Sequence, residues 1–219
     1  LTALAHTQSV VERRNTIPIL SNILLEAQDE MLQLTATDLD IAVVEQVEAN
    51  VILPGSTTIP AHTLYDIVRK LPDGAQVEIA LGEQVGEPRV SLTAGRSSFL
   101  LPSLPKEDFP LMAEDDLGSS FRLSTGLLQS IVDKTRFAVS TEETRYYLNG
   151  IYLHIAEVAG RNVLRAVATD GHRLAQVNAS LPDGASEMPN VIIPRKAIME
   201  LRKLMDEGGG DVEKSLSDS

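Results

Sequence analysis

Polar and apolar residues alternate along 76–81 and again along 89–94, the period of half-buried strands. Between them, Gly82-Glu83 and Gly86-Glu87 suit a hairpin turn. Residues 147–155 and 163–168 read as a second strand pair, split by a glycine-bearing loop around Gly160. Helical spacing takes over after Pro60 and after Pro194, where proline is tolerated at a helix start. Leu64, Ile67, Val68 and Leu71 share one side of the first helix, and Ile198, Leu201, Leu204 and Met205 share one side of the second. The chain opens at Leu1 within a further helical stretch and ends just past a strand-like one. Two helices with several strands in each half predict an α+β fold, helices laid on antiparallel sheets.

The same landmarks occur twice, in the same order. Ala36-Thr37-Asp38 and Ala168-Thr169-Asp170 each close a strand-like run, 132 positions apart. Thr58-Ile59-Pro60 opens a helix that reaches Arg69-Lys70-Leu71, and Ile192-Ile193-Pro194 opens one that reaches Arg202-Lys203-Leu204. Val77-Glu78-Ile79 and Val212-Glu213 follow those helices, while Leu20-Ser21-Asn22 faces Leu148-Asn149-Gly150 upstream. Tandem copies of one domain are expected, the first over 1–112 and the second over 119–219. The boundary region 102–120 carries Pro102, Pro105 and Pro110 with Glu107, Asp108, Glu114, Asp115 and Asp116.

Composition narrows the function. The 219 residues hold no cysteine, which removes disulfides, thiolate zinc sites and cysteine nucleophiles. No apolar run approaches the roughly 20 residues of a spanning helix, and no secretion signal opens the chain. A cytoplasmic protein with no cofactor and no membrane partner is expected. Nineteen Lys and Arg against 31 Asp and Glu give a net charge of −12, which argues against a tight nucleic-acid binder unless cations are gathered on one surface. They are gathered. Arg195, Lys196, Arg202 and Lys203 fall opposite the apolar side of their helix, and in the first copy His62 and Arg69 turn outward beside Asp66.

Two further segments carry candidate chemistry. Arg145-Tyr146-Tyr147 combines a cation with two of only four tyrosines, residue types that stack on bases and anchor interfaces. On a strand the two rings take opposite faces, so Tyr147 is expected to pack and Tyr146 to be exposed. In Thr169-Asp170-Gly171-His172-Arg173-Leu174, Asp170 and His172 could form a hydrolytic pair, but Asp-Gly is also a turn signal. His6, His62, His154 and His172 show no paired metal-ligand spacing, and no nucleophile-elbow, P-loop or dinucleotide motif is present. No metal site and no catalytic residue is expected.

At these residues the chain resembles the bacterial sliding clamp family, the beta subunit of DNA polymerase III. The resemblance is carried by Thr16-Ile17-Pro18-Ile19-Leu20-Ser21-Asn22, Leu34-Thr35-Ala36-Thr37-Asp38-Leu39, Arg145-Tyr146-Tyr147-Leu148-Asn149-Gly150 and Ala168-Thr169-Asp170-Gly171-His172-Arg173-Leu174-Ala175, with 191–196. It implies the DNA-clamp fold, of which the chain matches the first domain short of its opening strand and the second short of its final hairpin, with the third domain absent. It also implies a head-to-tail homodimeric ring around duplex DNA, held by topology, that tethers the replicative polymerase and has no active site of its own.

By the same resemblance, Arg14, Arg69, Arg145, Tyr146, Arg195 and Lys196 meet DNA. Arg145, Tyr147, Leu148, Thr169, Gly171, His172, Arg173 and Leu174 form one wall of a cleft for short peptides of the polymerase III catalytic subunit, the clamp loader and other partners. Arg89, Arg96, Phe99 and Leu101, with Leu64 and Ile67, form the subunit contact, 89–101 acting as an edge strand. His62-Thr63 stand where the family commonly has a basic pair, Ser98 replaces a further arginine of the contact, and Glu142 stands near the DNA-facing loop. A protein-binding α+β module whose basic helices are solvated faces is the alternative, and a hydrolase using Asp170 and His172 a third reading.

Overall fold

The computed structural model describes residues 1–82, 88–110, 119–142, 144–207 and 211–216, the side chains of 119–120 and 206–216 excepted. Glu83, Gly86 and Glu87 of the expected turn and Glu114, Asp115 and Asp116 of the expected linker lie outside the described residues. The chain divides into two compact units, Leu1–Met112 and Ala113–Ser219.

In the first unit, helix α1 (Thr2–Val10) precedes β1 (Asn22–Gln28), β2 (Met31–Thr37), β3 (Ala42–Glu48) and β4 (Gly55–Pro60). These strands form an antiparallel sheet of order β3-β2-β1-β4. Helix α2 (Ala61–Val68) follows directly, then a second sheet of β5 (Glu78–Gly82), β6 (Arg89–Ala94) and β7 (Ser97–Pro102). Ile23, Leu25, Leu34, Ala36 and Ile59 from the first sheet meet Leu64 of α2 and Val90, Leu92 and Leu101 of the second. Each fully buried Ile or Leu contributes about 2 kcal/mol to this core.

The second unit repeats the plan. Strand β8 (Ser119–Ser124) leads into α3 (Thr125–Thr135), and β9 (Gly150–Val158), β10 (Arg161–Thr169), β11 (Leu174–Ser180) and β12 (Val191–Pro194) form a sheet of order β11-β10-β9-β12. Helix α4 (Arg195–Glu207) follows β12 as α2 follows β4, and β13 (Asp211–Leu216) pairs with β8. In α3 the Ser124 hydroxyl caps the first turn by accepting from Leu127 N–H at 3.3 Å, and Leu128, Ile131, Val132 and Thr135 bury its inner face. Both units turn their first hairpin through two residues of positive φ, Asp29-Glu30 and Ala159-Gly160, the turn that matches the twist of paired strands. Among the described residues the fold is therefore α+β, made of two like units, each with two α-helices on antiparallel sheets.

Several side chains differ from expectation. His62 is half-buried rather than outward: its Nε2 lies 3.0 Å from the Val11 carbonyl, tying α2 to the end of α1. Strand β6 is central in its sheet, so the edge belongs to β7 and not to the whole of 89–101. Residues 147–149 precede the strand expected to begin there, because Tyr146–Leu148 form a single 3-10 turn and β9 starts at Gly150.

Gly150 fixes that junction. It pairs with Pro194 across β9 and β12, and a Cβ on it would stand 2.4 Å from the Ile193 carbonyl oxygen and 2.6 Å from Ile192 Cγ2. Only glycine lets β12 come this close. Arg195 N–H then donates to the Asn149 carbonyl at 2.8 Å, joining the start of α4 to the end of the Tyr146–Leu148 turn.

Candidate functional site

The loop from β10 to β11 is built by two side chains. Thr169 Oγ1 donates to the Arg173 carbonyl at 2.7 Å and accepts the Gly171 N–H at 3.1 Å. Asp170 Oδ1 accepts the N–H groups of His172 and Arg173, both at 3.0 Å, and Oδ2 accepts Arg173 Nε–H at 2.8 Å. These backbone donors, His172's and then Arg173's, hold the Asp170 carboxyl down to about 2. Both carboxylate oxygens thus serve the turn, and Asp170 meets His172 through its backbone rather than its ring. The hydrolytic pairing is replaced by an Asx-type turn. Gly171 crosses it at φ +89°, where the backbone favours glycine, and presents His172, Arg173 and Leu174 outward.

The Arg145 segment lies against this turn. A Cβ on Gly171 would sit 3.5 Å from Arg145 Nη1, while Arg145 Nε pairs with Glu142 at 3.1 Å. Ser140 N–H donates to the Leu148 carbonyl at 3.0 Å, drawing the end of the α3 connection to the same place. Tyr146 is 79% exposed, and Tyr147, expected to pack, is 55% exposed. Strand alternation does not apply to a 3-10 turn, so both rings face solvent and meet edge to face, centroids 5.6 Å apart. Leu148 is half-buried and Leu174 is 63% exposed. Phe137, which sequence reasoning missed, is 55% exposed with the Arg173 guanidinium 5.9 Å above its ring. Its one signal was its place beside Arg136, just past the last apolar turn of α3.

The cations of the helices are less uniform than their helical spacing suggests. Arg14 is exposed just beyond α1, and Arg195 is exposed at the first position of α4. Lys196 is half-buried. Arg69 pairs through Nε with Asp66 at 2.9 Å and lies over the Tyr65 ring. Arg202 Nε donates to Asp133 on α3 at 3.0 Å, and Lys203 pairs with Glu200 at 2.7 Å, so these two are engaged within the unit. The more exposed Arg69–Asp66 pair contributes only about 0.3–0.5 kcal/mol, little enough for a phosphate to displace the carboxylate.

For the expected subunit contact, Arg89 and Arg96 are exposed, while Ile67 and Phe99 are half-buried. Leu64 and Leu101 are corrected: at 1% and 5% exposure both belong to the unit's own core and shape the surface from beneath. On β7 the outward leucine is Leu100, which alternation places opposite Leu101.

Comparison with known proteins bears on both units. Residues 1–113 match the family model of the DNA polymerase III beta subunit N-terminal domain, and residues 122–219 match that of its central domain. The beta sliding clamp of Caulobacter vibrioides is 54% identical over 217 residues, 99% of this chain and 58% of the relative. That of Escherichia coli is 41% identical over 201 residues, 90% of this chain and 51% of the relative. Among solved structures, the beta sliding clamp of Caulobacter crescentus superposes with a TM-score of 0.94 at 54% identity, covering 99% of this chain and 57% of the other. A sliding clamp from Bartonella birtlesii bound to griselimycin gives 0.93 at 50%, covering 100% and 57%.

Two like α+β units in this topology define the DNA-clamp class of protein. The chain belongs to the DNA polymerase III beta subunit family. It spans somewhat over half the length of the curated relatives it matches.

Proposed function

We propose that the protein is a sliding clamp, a cytoplasmic processivity factor that encircles duplex DNA and tethers the replicative DNA polymerase during replication. The observation that carries this reading is the match of one unit to the family's N-terminal domain and of the other to its central domain, along nearly the whole chain. In this reading residues 1–112 and 119–219 are the first two clamp domains, and a third domain completes a subunit that dimerises head to tail. The subunit has no catalytic residues and is an accessory to a DNA-directed DNA polymerase. Arg14, Arg69, Arg145, Tyr146, Arg195 and Lys196 contact DNA. Arg145, Tyr147, Leu148, Thr169, Gly171, His172, Arg173 and Leu174 receive peptides of the polymerase catalytic subunit, the clamp loader and other partners. Arg89, Arg96, Ile67 and Phe99 meet the second subunit.

The charge of −12 fits a ring better than a groove. A groove needs net phosphate neutralisation to hold DNA, whereas a closed ring needs only contacts weak enough to slide. Pairs such as Arg69–Asp66 supply cations of that strength, since a carboxylate competes for each phosphate contact.

Primer extension by the polymerase III catalytic subunit tests the tethering. The full-length subunit, loaded on primed DNA, lengthens the product made per binding event, and its Leu174→Ala variant does not. Equal product lengths with and without the subunit would overturn the proposal.

A further inference from the structure

We propose that the loop from β3 to β4 in the first unit is a separate docking surface, where Ile52 and Leu53 receive a protein segment carrying lysine or arginine beside an apolar side chain. It lies in the other unit from the turn between β10 and β11 and shares no residue with it.

The sheet order is β3-β2-β1-β4, so residues 49–54 cross the end of the β1–β2 hairpin to reach the far edge. Ala49 N–H donates to the Glu30 carbonyl at 2.8 Å and ties the start of the crossing to the hairpin turn. Asp29 and Glu30 hold that turn at φ +49° and +63°, so backbone geometry sets the walls. Between loop and turn lies an open cleft of about 520 Å³, lined by Gln28, Asp29, Glu30, Val51 and Pro54. A connecting loop is ordinarily polar, yet Val51-Ile52-Leu53-Pro54 is an unbroken apolar run. Val51 is half-buried, whereas Ile52 is 79% and Leu53 83% exposed. Single exposed apolar side chains are ordinary, but an adjacent pair flanked by the lining of a cleft marks an interaction surface.

Charge decides what the surface fits. From Asn22 to Pro60 every charged residue is Asp or Glu, with no Lys, Arg or His among them. Asp29 and Glu30 line the cleft and Glu48 ends the strand that leads into the loop, all three exposed. Such a surface repels nucleic acid, anionic lipid and a second copy of a chain whose net charge is −12. It draws a cationic protein segment instead, and an apolar side chain on that segment gains by covering Ile52 and Leu53. The carboxylates speed the approach, and the apolar run sets how long the partner stays.

The probe mirrors the surface: a fluorescein-labelled peptide with one lysine for each of Asp29, Glu30 and Glu48 and one leucine for each of Ile52 and Leu53. Its binding to the full chain is followed by anisotropy, beside twins whose leucines become serine or whose lysines become glutamate. Ile52→Ser with Leu53→Ser weakens the lysine–leucine peptide by about tenfold or more, to the level of the serine twin. Asp29→Asn with Glu30→Gln and Glu48→Gln weakens it by about threefold or more at low salt and flattens its salt dependence. All five side chains are exposed, so both variants keep the parent's thermal midpoint. The glutamate twin does not bind, and the amide resonances of 28–30 and 51–55 move as the lysine–leucine peptide is added. The proposal is overturned if that peptide fails to bind, if it binds the Ile52→Ser, Leu53→Ser variant as tightly as the parent, or if only resonances elsewhere move. Equal binding of the leucine and serine peptides would reduce the contact to charge attraction and overturn it as well.

Discussion

Leu39 and Gly171 occupy the same step of the same turn, one in each unit. Leu39 has φ +80° and Gly171 φ +89°. Thr37 Oγ1 donates to the Ile41 carbonyl at 2.8 Å and accepts the Leu39 N–H at 3.0 Å, as Thr169 does around Gly171. Asp38 Oδ1 accepts the N–H groups of Asp40 and Ile41, as Asp170 Oδ1 accepts those of His172 and Arg173. The duplication thus extends to single hydrogen bonds. A left-handed conformation costs a residue with a Cβ about 1–2 kcal/mol, a cost the first unit carries and the second avoids.

Exchanging these residues tests that difference. Leu39→Gly relieves the strain, and because Leu39 is 52% exposed it gives up little burial. A gain of about 0.5–1 kcal/mol is expected after the extra backbone entropy of glycine. Gly171→Ala is expected to lose about 1 kcal/mol, since its Cβ finds only ordinary contact with Arg145 and the backbone strain decides. Urea unfolding measures both, and changes of the opposite sign would contradict the account.

Gly150→Ala acts through space rather than conformation. Its Cβ would fall 2.4 Å from the Ile193 carbonyl, which is backbone and cannot swing away. A loss of about 3 kcal/mol or more is expected, with a large fall in the thermal midpoint. An unchanged midpoint would show that β9 and β12 are not so closely paired.

Asp170 gives the turn a pH dependence. Its folded value of about 2 lies below the ordinary 3.8, so its stabilisation is present above 3.8 and is lost as the pH falls toward 2. The amide resonances of His172 and Arg173, which donate to it, should move through that window. In Asp170→Ala they should not. Amides that titrate near pH 4 in the parent would remove the proposed cause.

Arg195→Ala with Lys196→Ala should weaken DNA association and flatten the salt dependence by about two units of slope, without loss of folding. Arg202→Ala should leave the slope nearly unchanged, because Arg202 is engaged by Asp133. Equal slopes for the double variant and the parent would take α4 off the DNA surface.

Helical and strand periods made the faces of α2 and α4 and the course of β6 legible, because those depend on the burial of Leu64, Ile198, Val90 and Leu92 along regular elements. The recurrence of Ala-Thr-Asp made the duplication legible. What stayed hidden turned on local geometry that no period encodes. Tyr147 faces solvent because three residues form a 3-10 turn where a strand was expected. His62 points to Val11, 51 positions away, a partner set by how α1 and α2 pack. Leu101 and Leu100 exchange roles because the register of β7 on β6, not residue type, decides which leucine enters the core. Phe137 stayed hidden because only the turn after α3 leaves its ring exposed beside Arg173.

The most direct measurement is retention of the loaded, full-length subunit on nicked circular DNA before and after a single cut that linearises it. If topology rather than affinity holds the protein, it stays on the circle through a high-salt wash and runs off the ends once the DNA is cut. Equal retention on circular and linear DNA, or loss from both at the same salt, would contradict encirclement.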